Sequence, residues 1–277
     1  MTNPRPAIRL IAADMDGTLL NNAGEISPGN ARAIHLAQKK GIIFAICSGR
    51  FPENAAITAR DGGVECPIVA LNGGCIAERT YGDLIVAHPM APQTVRAVFD
   101  ALEEIGALYY LFGRKTVYTR NESHIHHSQK KYGDRLIHEA DVRYLFGVDA
   151  CLDGLKEDIF KYYVYSQPGH ATLPQIREKL LTVPGIQLTQ SSNTNIEIMP
   201  PNIDKATGLR ELAEYYGIPL EATMALGDHD NDVPMLVETG LSVAMDNAEP
   251  HVKDIADVIT GSNTNDGVAQ AIYKYVL

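Results

Sequence analysis

Both ends of the chain alternate short apolar runs with amphipathic stretches. Near the N-terminus, apolar runs predict strands at residues 8–13, 42–47 and 67–71, and an amphipathic stretch predicts a helix at residues 28–40. Residues 205–277 continue the alternation, with predicted helices at 205–216, 233–238, 252–256 and 267–275 and predicted strands at 223–226, 241–244 and 257–260. Short strands that are apolar throughout, with helices between them, are typical of a parallel sheet covered on both faces. We therefore predict a doubly wound α/β sheet built from two separated parts of the chain.

The middle of the chain has a different pattern, in which strands come in pairs. A predicted helix is followed twice by two strands, and a further strand lies between the copies: residues 93–105, 108–112, 116–119, 159–165, 174–181, 186–190 and 195–199. Strand pairs with a helix on one side indicate an antiparallel α+β module. Turn-forming residues stand near both boundaries, so we predict a core of residues 1–83 and 201–277 and an inserted domain of residues 84–200.

Composition limits the classes of partner. Asp and Glu outnumber Lys and Arg by 34 to 24, which gives a formal net charge of −10. An acidic chain repels a phosphate backbone, so we expect no nucleic-acid partner. No apolar run approaches the ~20 residues of a membrane-spanning helix, and the N-terminal residues lack the apolar core of a signal peptide. We therefore expect a cytoplasmic protein with no membrane partner. No two of the four cysteines have Cys-x-x-Cys spacing, which favours reduced thiols.

Two carboxylates stand directly after the first predicted strand, in the run Asp14-Met15-Asp16-Gly17-Thr18. In extended backbone, side chains two residues apart point to the same side. Their mutual repulsion is costly unless a cation lies between them or one carboxyl group is protonated. Gly17 allows the chain to turn and Thr18 can brace that turn, so the run predicts a cation site. The alternative is an Asx turn that caps the next segment.

A second acidic run, GDHDND at residues 227–232, follows a predicted strand near the C-terminus. Carboxylate oxygens and water are the ligands that Mg²⁺ prefers, so this run predicts a magnesium site. Asp is also common at helix N-caps. We therefore expect one or two of the carboxylates of Asp228, Asp230 and Asp232 to be purely structural.

Two weaker signals stand in comparable places. Ser48, Gly49 and Arg50 follow the second predicted strand, where a hydroxyl and backbone N–H groups at the start of a helix suit an anion. A plain turn is the alternative there. Lys205 begins a predicted helix, where the helix dipole disfavours a cation, so its side chain serves either a ligand or only solvent. The run at residues 72–74, Asn-Gly-Gly, predicts a turn after the third strand.

These signals converge on one edge of the predicted sheet. In doubly wound sheets, ligands bind outside the carboxyl ends of the strands. Asp14, Ser48 and Asp228 are all predicted there, and Lys205 begins a helix just after the inserted domain. A carboxylate nucleophile, a hydroxyl, a lysine and a metal-binding acid are together the parts of a phosphoryl-transfer site.

Taken in order, residues 14–18, Ser48, Lys205 and residues 227–232 resemble the four motifs of the haloacid dehalogenase superfamily. The insertion between the second and third motifs is similar to the type II (α+β) cap of the Cof-type sugar-phosphate phosphatases. The resemblance covers nearly the whole chain and implies a Rossmann-like core with an inserted cap. The third motif departs from the pattern, because many relatives have Gly directly after the lysine, where this chain has Ala206.

The resemblance implies a role for each motif residue. Asp14 would be the nucleophile that forms an aspartyl-phosphate, and Asp16 would be the general acid and then the general base. Mg²⁺ would be held by Asp14, the main-chain carbonyl of Asp16 and Asp228, with Asp232 in support. The oxygens of the phosphoryl group would be held by Ser48, Gly49, Lys205 and Asn231.

Three functions follow from this pattern. The first is a Mg²⁺-dependent phosphatase that acts on small phosphorylated metabolites, such as sugar phosphates. The second is a phosphomutase of the same superfamily, which would need a bisphosphate. The third is a catalytically silent regulatory binder, which would have no need for Asp16. The sequence leaves open the physiological substrate, the cap residues that select it, the oligomeric state, and any role of His229 or of the histidines at positions 124, 126 and 127, where a surface turn is predicted.

Overall fold

The computed structural model describes residues 6–80, 82–120 and 135–277. The chain divides into two compact units, one made of Met1–Ala87 and Asp204–Leu277 and the other of His88–Ile203. The first boundary lies after residue 87 instead of residue 83, because residues 84–87 pair into the sheet of the first unit. Among the described residues, no helix is both long enough and apolar enough to cross a membrane.

An eight-stranded sheet forms the centre of the first unit. Its strands are β1 (Leu10–Ala13), β2 (Ile43–Cys47), β3 (Ile68–Ala70), β4 (Cys75–Ala77), β5 (Leu84–Ala87), β12 (Thr223–Gly227), β13 (Leu241–Ala244) and β14 (Val258–Ile259). They lie in the order β14-β13-β12-β1-β2-β3-β4-β5. The strands from β14 to β3 are parallel, and β4 and β5 add an antiparallel edge. All four residues of β1 are buried, as expected for a central strand covered on both faces.

Six α-helices are described in the first unit, and all but the last precede a strand of its sheet. They are α1 (Pro28–Lys39), α2 (Pro52–Asp61), α6 (Lys205–Tyr215), α7 (Val233–Glu238), α8 (Pro250–Ile255) and α9 (Gly267–Tyr275). Two residues fix the start of helix α1. The Ser27 side chain accepts a hydrogen bond from the Asn30 N–H, and Pro28 takes the first helical position. Helix α2 was not predicted. Eight of its ten residues are buried, the polar Glu53, Asn54 and Thr58 among them, so the polar positions in its sequence do not mark a solvent-exposed face.

The second unit contains a six-stranded sheet. Its strands are β6 (Leu108–Phe112), β7 (Thr116–Thr119), β8 (Arg143–Phe146), β9 (Lys161–Tyr165), β10 (Gln187–Thr189) and β11 (Asn195–Met199), in the order β10-β11-β9-β6-β7-β8. Helices α3 (Pro92–Glu104), α4 (Val148–Gly154) and α5 (Leu173–Leu180) belong to the same unit. The predicted antiparallel pairing holds except between β7 and β8, which are parallel. The edge strand β8 was not predicted; three of its four residues are exposed.

The core of the second unit lies on one face of this sheet. Tyr109, Tyr162 and Ile198 alternate inward from three neighbouring strands and pack with Val98 of α3 and Ile176 of α5. The predicted α/β core with an inserted α+β domain is thereby confirmed.

Candidate active site

Asp14 lies directly after β1, at the carboxyl end of a central strand. Its backbone N–H donates to the Leu226 carbonyl at 3.0 Å, which continues the pairing of β1 with β12. The Asp14 carboxylate accepts a hydrogen bond of 2.5 Å from the Lys205 ammonium, and the same ammonium lies 2.6 Å from the carboxylate of Asp232. Two carboxylates thus share one cation, which is fully buried.

Lys205 is the first residue of α6, at the helix end where the dipole disfavours positive charge. Asp204 caps this helix, because its carboxylate accepts a hydrogen bond of 2.9 Å from the Thr207 N–H. Burial opposes the charged form of Lys205, but Asp14 and Asp232 outweigh that effect and raise the pKa of its ammonium. The lysine is therefore charged at neutral pH, and its burial excludes the alternative of a solvent-facing side chain.

Three carboxylates form a cluster that fits a cation. Asp14, Asp228 and Asp232 each place one oxygen within 4.8 Å of the others. Carboxylate oxygens are the ligands that a hard cation such as Mg²⁺ takes, so the residues present fit the metal that the sequence predicts. Asp230 lies apart from the cluster, because its carboxylate pairs with His251 at 2.6 Å on the surface.

Asp232 also closes the turn that carries Asp228. Its second oxygen accepts hydrogen bonds from the backbone N–H groups of Asp228 and His229, at 2.9 and 3.1 Å. The carboxylate therefore has a structural task within the acidic run in addition to its contact with Lys205.

The cluster brings three carboxyl groups together with one ammonium. Burial raises the pKa of Asp14 well above its usual range; Lys205 offsets part of this rise, while Asp232, Asp228 and Asp16 add to it. Burial and the neighbouring Asp232 likewise raise the pKa of Asp228 to about 7. The carboxylates repel one another, and a cation bound among them would offset that repulsion and favour their ionised forms.

The turn after Asp14 brings the two acidic runs together. Gly17 has a φ of +86°, and a Cβ at this position would lie 2.2 Å from a carboxylate oxygen of Asp228. The Thr18 hydroxyl donates a hydrogen bond of 2.7 Å to the other oxygen of Asp228. The Gly17 carbonyl is held in turn by the Asn247 side chain at 2.7 Å.

The side chain of Asp16 has a different partner from the other carboxylates. Arg50 binds it through two hydrogen bonds, from Nε at 2.7 Å and from a terminal nitrogen at 2.6 Å. The other terminal nitrogen of Arg50 donates to Asn54 and Thr58 of α2. Sequence reasoning assigned no role to Arg50, although a charged residue directly after the Ser-Gly turn was the signal available.

Ser48 and Asn231 lie near the same edge of the sheet and are both linked to Asn72. The Asn72 N–H donates to the Ser48 carbonyl at 3.0 Å, and the Asn231 side chain donates to the Asn72 side chain at 3.2 Å. The Ser48 hydroxyl accepts the N–H of Arg50 at 3.1 Å, with Gly49 between them in the turn. The turn predicted around Asn72 therefore belongs to the site. His124, His126 and His127 lie outside the described residues.

The family model of the haloacid dehalogenase-like hydrolases matches residues 11–272. The chain belongs to this family. Among curated proteins, the hydrolase is 31% identical over 271 residues to the 5-amino-6-(5-phospho-D-ribitylamino)uracil phosphatase YcsE of Bacillus subtilis, a match that covers 98% of this chain and 96% of that protein. It is 30% identical over 282 residues to YwtE, a B. subtilis phosphatase of the same name, with 96% and 97% of the two chains covered.

Solved structures agree with this assignment. A haloacid dehalogenase-like hydrolase from B. subtilis superimposes on this hydrolase with a TM-score of 0.83 at 25% sequence identity, and covers 98% of this chain and 100% of its own. The predicted Cof-type haloacid dehalogenase family is confirmed, and the hydrolase is a phosphatase of that superfamily.

Proposed function

We propose that this phosphatase is Mg²⁺-dependent and hydrolyses small phosphorylated metabolites through an aspartyl-phosphate on Asp14. One observation carries the proposal: the Asp14 carboxylate, at the end of a central strand, is paired with a fully buried Lys205 beside Asp228 and Asp232. A carboxylate can attack a phosphate ester only where positive charge offsets the repulsion between the two anions. The pairing with Lys205 is suited to that requirement.

In the first step of this proposal, a carboxylate oxygen of Asp14 attacks the phosphorus atom. The bond between phosphorus and the bridging oxygen of the substrate breaks, and Asp16 donates a proton to that oxygen so that an alcohol leaves. The side chain of Asp16 is 61% exposed, but both of its oxygens accept hydrogen bonds from Arg50. This proton transfer therefore requires that the contact with Arg50 opens when substrate binds. The phosphoryl oxygens would be held by Ser48, Gly49, Lys205 and Asn231.

In the second step, a water molecule attacks the phosphorus of the aspartyl-phosphate. Asp16 accepts the proton of this water, and the bond between phosphorus and the Asp14 oxygen breaks. Orthophosphate leaves, and the Asp14 carboxylate and the protonated Asp16 are restored. The balance of the two steps is one ester and one water consumed, with one alcohol and one phosphate formed.

The Mg²⁺ of this proposal would be held by Asp14, Asp228 and the main-chain carbonyl of Asp16. Asp232 would support the site by fixing the turn at Asp228 through its two backbone hydrogen bonds. When bound, the metal offsets the charge of the nucleophile and of the phosphoryl group.

The names of two relatives indicate a substrate class to test first. YcsE and YwtE are both named for a phosphate ester of a ribityl group attached to an aminouracil. We extend to this chain the coarser class, phosphate monoesters of sugars and sugar alcohols. The named compound belongs in the first panel of substrates.

The test measures phosphate release from such a panel, with Mg²⁺ or with EDTA, by the wild type and by Asp14→Asn and Asp16→Asn. We expect release only with Mg²⁺ and a loss of about 10²–10⁴-fold in kcat for Asp16→Asn, with no measurable turnover for Asp14→Asn. Asp230→Asn is the matched control, because this acid of the same run pairs with His251 at the surface.

The intermediate needs a separate measurement. Rapid quenching with a ³²P-labelled substrate should label the wild type and leave Asp14→Asn unlabelled. Equal labelling of both proteins would contradict Asp14 as the nucleophile. Isomerisation of a substrate that depends on a bisphosphate, without release of phosphate, would support the phosphomutase instead.

A further inference from the structure

Three consecutive residues after β3 have left-handed backbone conformations. The φ angles of Leu71, Asn72 and Gly73 are 51°, 53° and 92°. Gly adopts this region freely and Asn does so with some ease, whereas a leucine there costs about 1–2 kcal/mol. Strained backbone of this kind persists only where the surrounding structure holds it, and it concentrates at functional sites.

Backbone hydrogen bonds tie this turn to the residues after β2. The Leu71 N–H donates to the Arg50 carbonyl and the Asn72 N–H donates to the Ser48 carbonyl, both at 3.0 Å. These two bonds compensate for the strain and place Asn72 beside the turn that carries Ser48.

The same turn packs closely against the start of α6. A Cβ on Gly73 would lie 2.1 Å from the Asp204 carbonyl oxygen and 3.3 Å from the Gly208 nitrogen. Only glycine fits there, so the turn is in direct contact with the helix end that carries Lys205.

The Asn72 side chain reaches the last of the proposed phosphate ligands. It is 1% exposed, and its Oδ1 accepts a hydrogen bond of 3.2 Å from Nδ2 of Asn231, which is 7% exposed. Nδ2 of an asparagine carries two hydrogens. With one of them directed at Asn72, the orientation of the whole Asn231 carboxamide is set.

We propose that Asn72 is a positioning residue, which holds the carboxamide of Asn231 in the orientation that binds a phosphoryl oxygen. The inference rests on the proposed function, in which Asn231 holds the phosphoryl group. It also gives a reason for the strained turn, because the left-handed backbone is what places the Asn72 side chain against Asn231.

The test uses Asn72→Gly, Asn231→Ala and the double variant. Glycine adopts the left-handed conformation as readily as asparagine, so Asn72→Gly removes the carboxamide and keeps the backbone. The measurements are the inhibition constant of orthophosphate and kcat/KM for a substrate that the wild type hydrolyses. We expect Asn72→Gly alone to weaken orthophosphate binding about 5–30-fold. Added to Asn231→Ala, it should weaken orthophosphate binding no further.

A second variant keeps the test valid if Asn72→Gly fails to fold. Asn72→Asp retains the Oδ1 acceptor for Asn231 and tolerates the same backbone conformation. The negative charge added by Asn72→Asp changes orthophosphate binding by itself. Asn231→Ala should nevertheless weaken that binding by the same factor in the Asn72→Asp protein as in the wild type. A smaller effect of Asn231→Ala in the Asn72→Asp protein would overturn the inference.

The outcomes separate the inference from the proposed function. If Asn231→Ala weakens orthophosphate binding but Asn72→Gly does not, the positioning role is wrong and the proposed function stands. If Asn72→Gly weakens binding equally with and without the Asn231 side chain, Asn72 acts independently and the inference is also overturned. If Asn231→Ala leaves orthophosphate binding unchanged, the assignment of Asn231 in the proposed function fails and the inference fails with it.

Discussion

Thr18 donates a hydrogen bond of 2.7 Å to the carboxylate of Asp228, which lies 210 residues further along the chain. The hydroxyl is buried, and it joins the acidic run after β1 to the acidic run after β12. A hydrogen bond to the ionised form lowers the pKa of Asp228 and so opposes part of the rise that burial causes. Thr18 thereby favours the state of Asp228 that can hold a metal.

Thr18→Val should therefore weaken Mg²⁺ binding. Valine keeps the shape of the side chain and removes the hydroxyl that orients Asp228, so we expect the half-saturating Mg²⁺ concentration to rise by about tenfold or more. Thr18→Ser is the control, because it keeps the hydroxyl. Phosphate release titrated with Mg²⁺ measures the effect, and identical curves for the two variants would contradict the role given to the hydroxyl.

Gly17→Ala should reduce activity through a collision with Asp228. A Cβ on Gly17 would lie 2.2 Å from the carboxylate, whereas Gly41, which has a similar φ of +80°, has no atom within 4 Å of its Cβ position. Both variants suffer the cost of about 1–2 kcal/mol for left-handed backbone, so Gly41→Ala isolates the collision. Urea unfolding should show a larger loss of stability for Gly17→Ala than for Gly41→Ala, because the collision adds to the backbone strain, and kcat/KM should fall only for Gly17→Ala. A comparable fall in kcat/KM for Gly41→Ala would show that backbone strain alone is responsible.

Lys205→Met should destabilise the protein even without a metal. Removing the ammonium leaves Asp14 and Asp232 without their shared partner, and breaking a buried ion pair costs about 3–5 kcal/mol. Lys156→Met is the control; its ion pair with Asp153 is about three-quarters exposed on both sides and contributes less than about 1 kcal/mol. Urea unfolding in EDTA measures the unfolding free energy of both variants. Similar unfolding free energies for the two variants would show that the buried pair adds little.

The ionisation of Asp228 should make both the stability of the protein and its affinity for Mg²⁺ depend on pH. The pKa of Asp228 is raised to about 7 in the folded state, so its contribution to stability is fully present below its unfolded pKa and is lost as the pH rises from about 4 through 7. Mg²⁺ binding requires the ionised carboxylate, so binding should weaken below about pH 7 and release protons there.

Asp228→Asn supplies the comparison for this effect. In EDTA, the unfolding free energy of the wild type should fall more steeply between about pH 4 and 7 than that of Asp228→Asn. Calorimetric titration of Mg²⁺ in buffers of different ionisation enthalpy counts the protons released. Proton release that is the same at acid and at alkaline pH would contradict the raised pKa of Asp228.

Much of the fold was predictable because its signals are local. The six parallel strands of the core were recognised as apolar runs, and the positions of Asp14, Ser48 and Asp228 at strand ends followed from them. The antiparallel edge strands β4 and β5 were not predicted. Helix α2 and strand β8 were missed for opposite reasons. Most residues of the helix are buried, including the polar Asn54 and Thr58, so its polar positions do not mark a solvent-exposed face. The strand lies at an edge of its sheet, with most of its residues exposed.

The sequence by itself determined the family, the α/β core with its insertion, and the residue types of the site, because motifs and periodicity are properties of neighbouring residues. Only the tertiary structure decided which side chains contact and position the residues of the site. Arg50 contacts Asp16 across 34 positions, and Asn72 contacts Asn231 across 159. Such contacts depend on how parallel strands meet at one edge of the sheet, and no spacing along the chain specifies a hydrogen bond between residues that far apart.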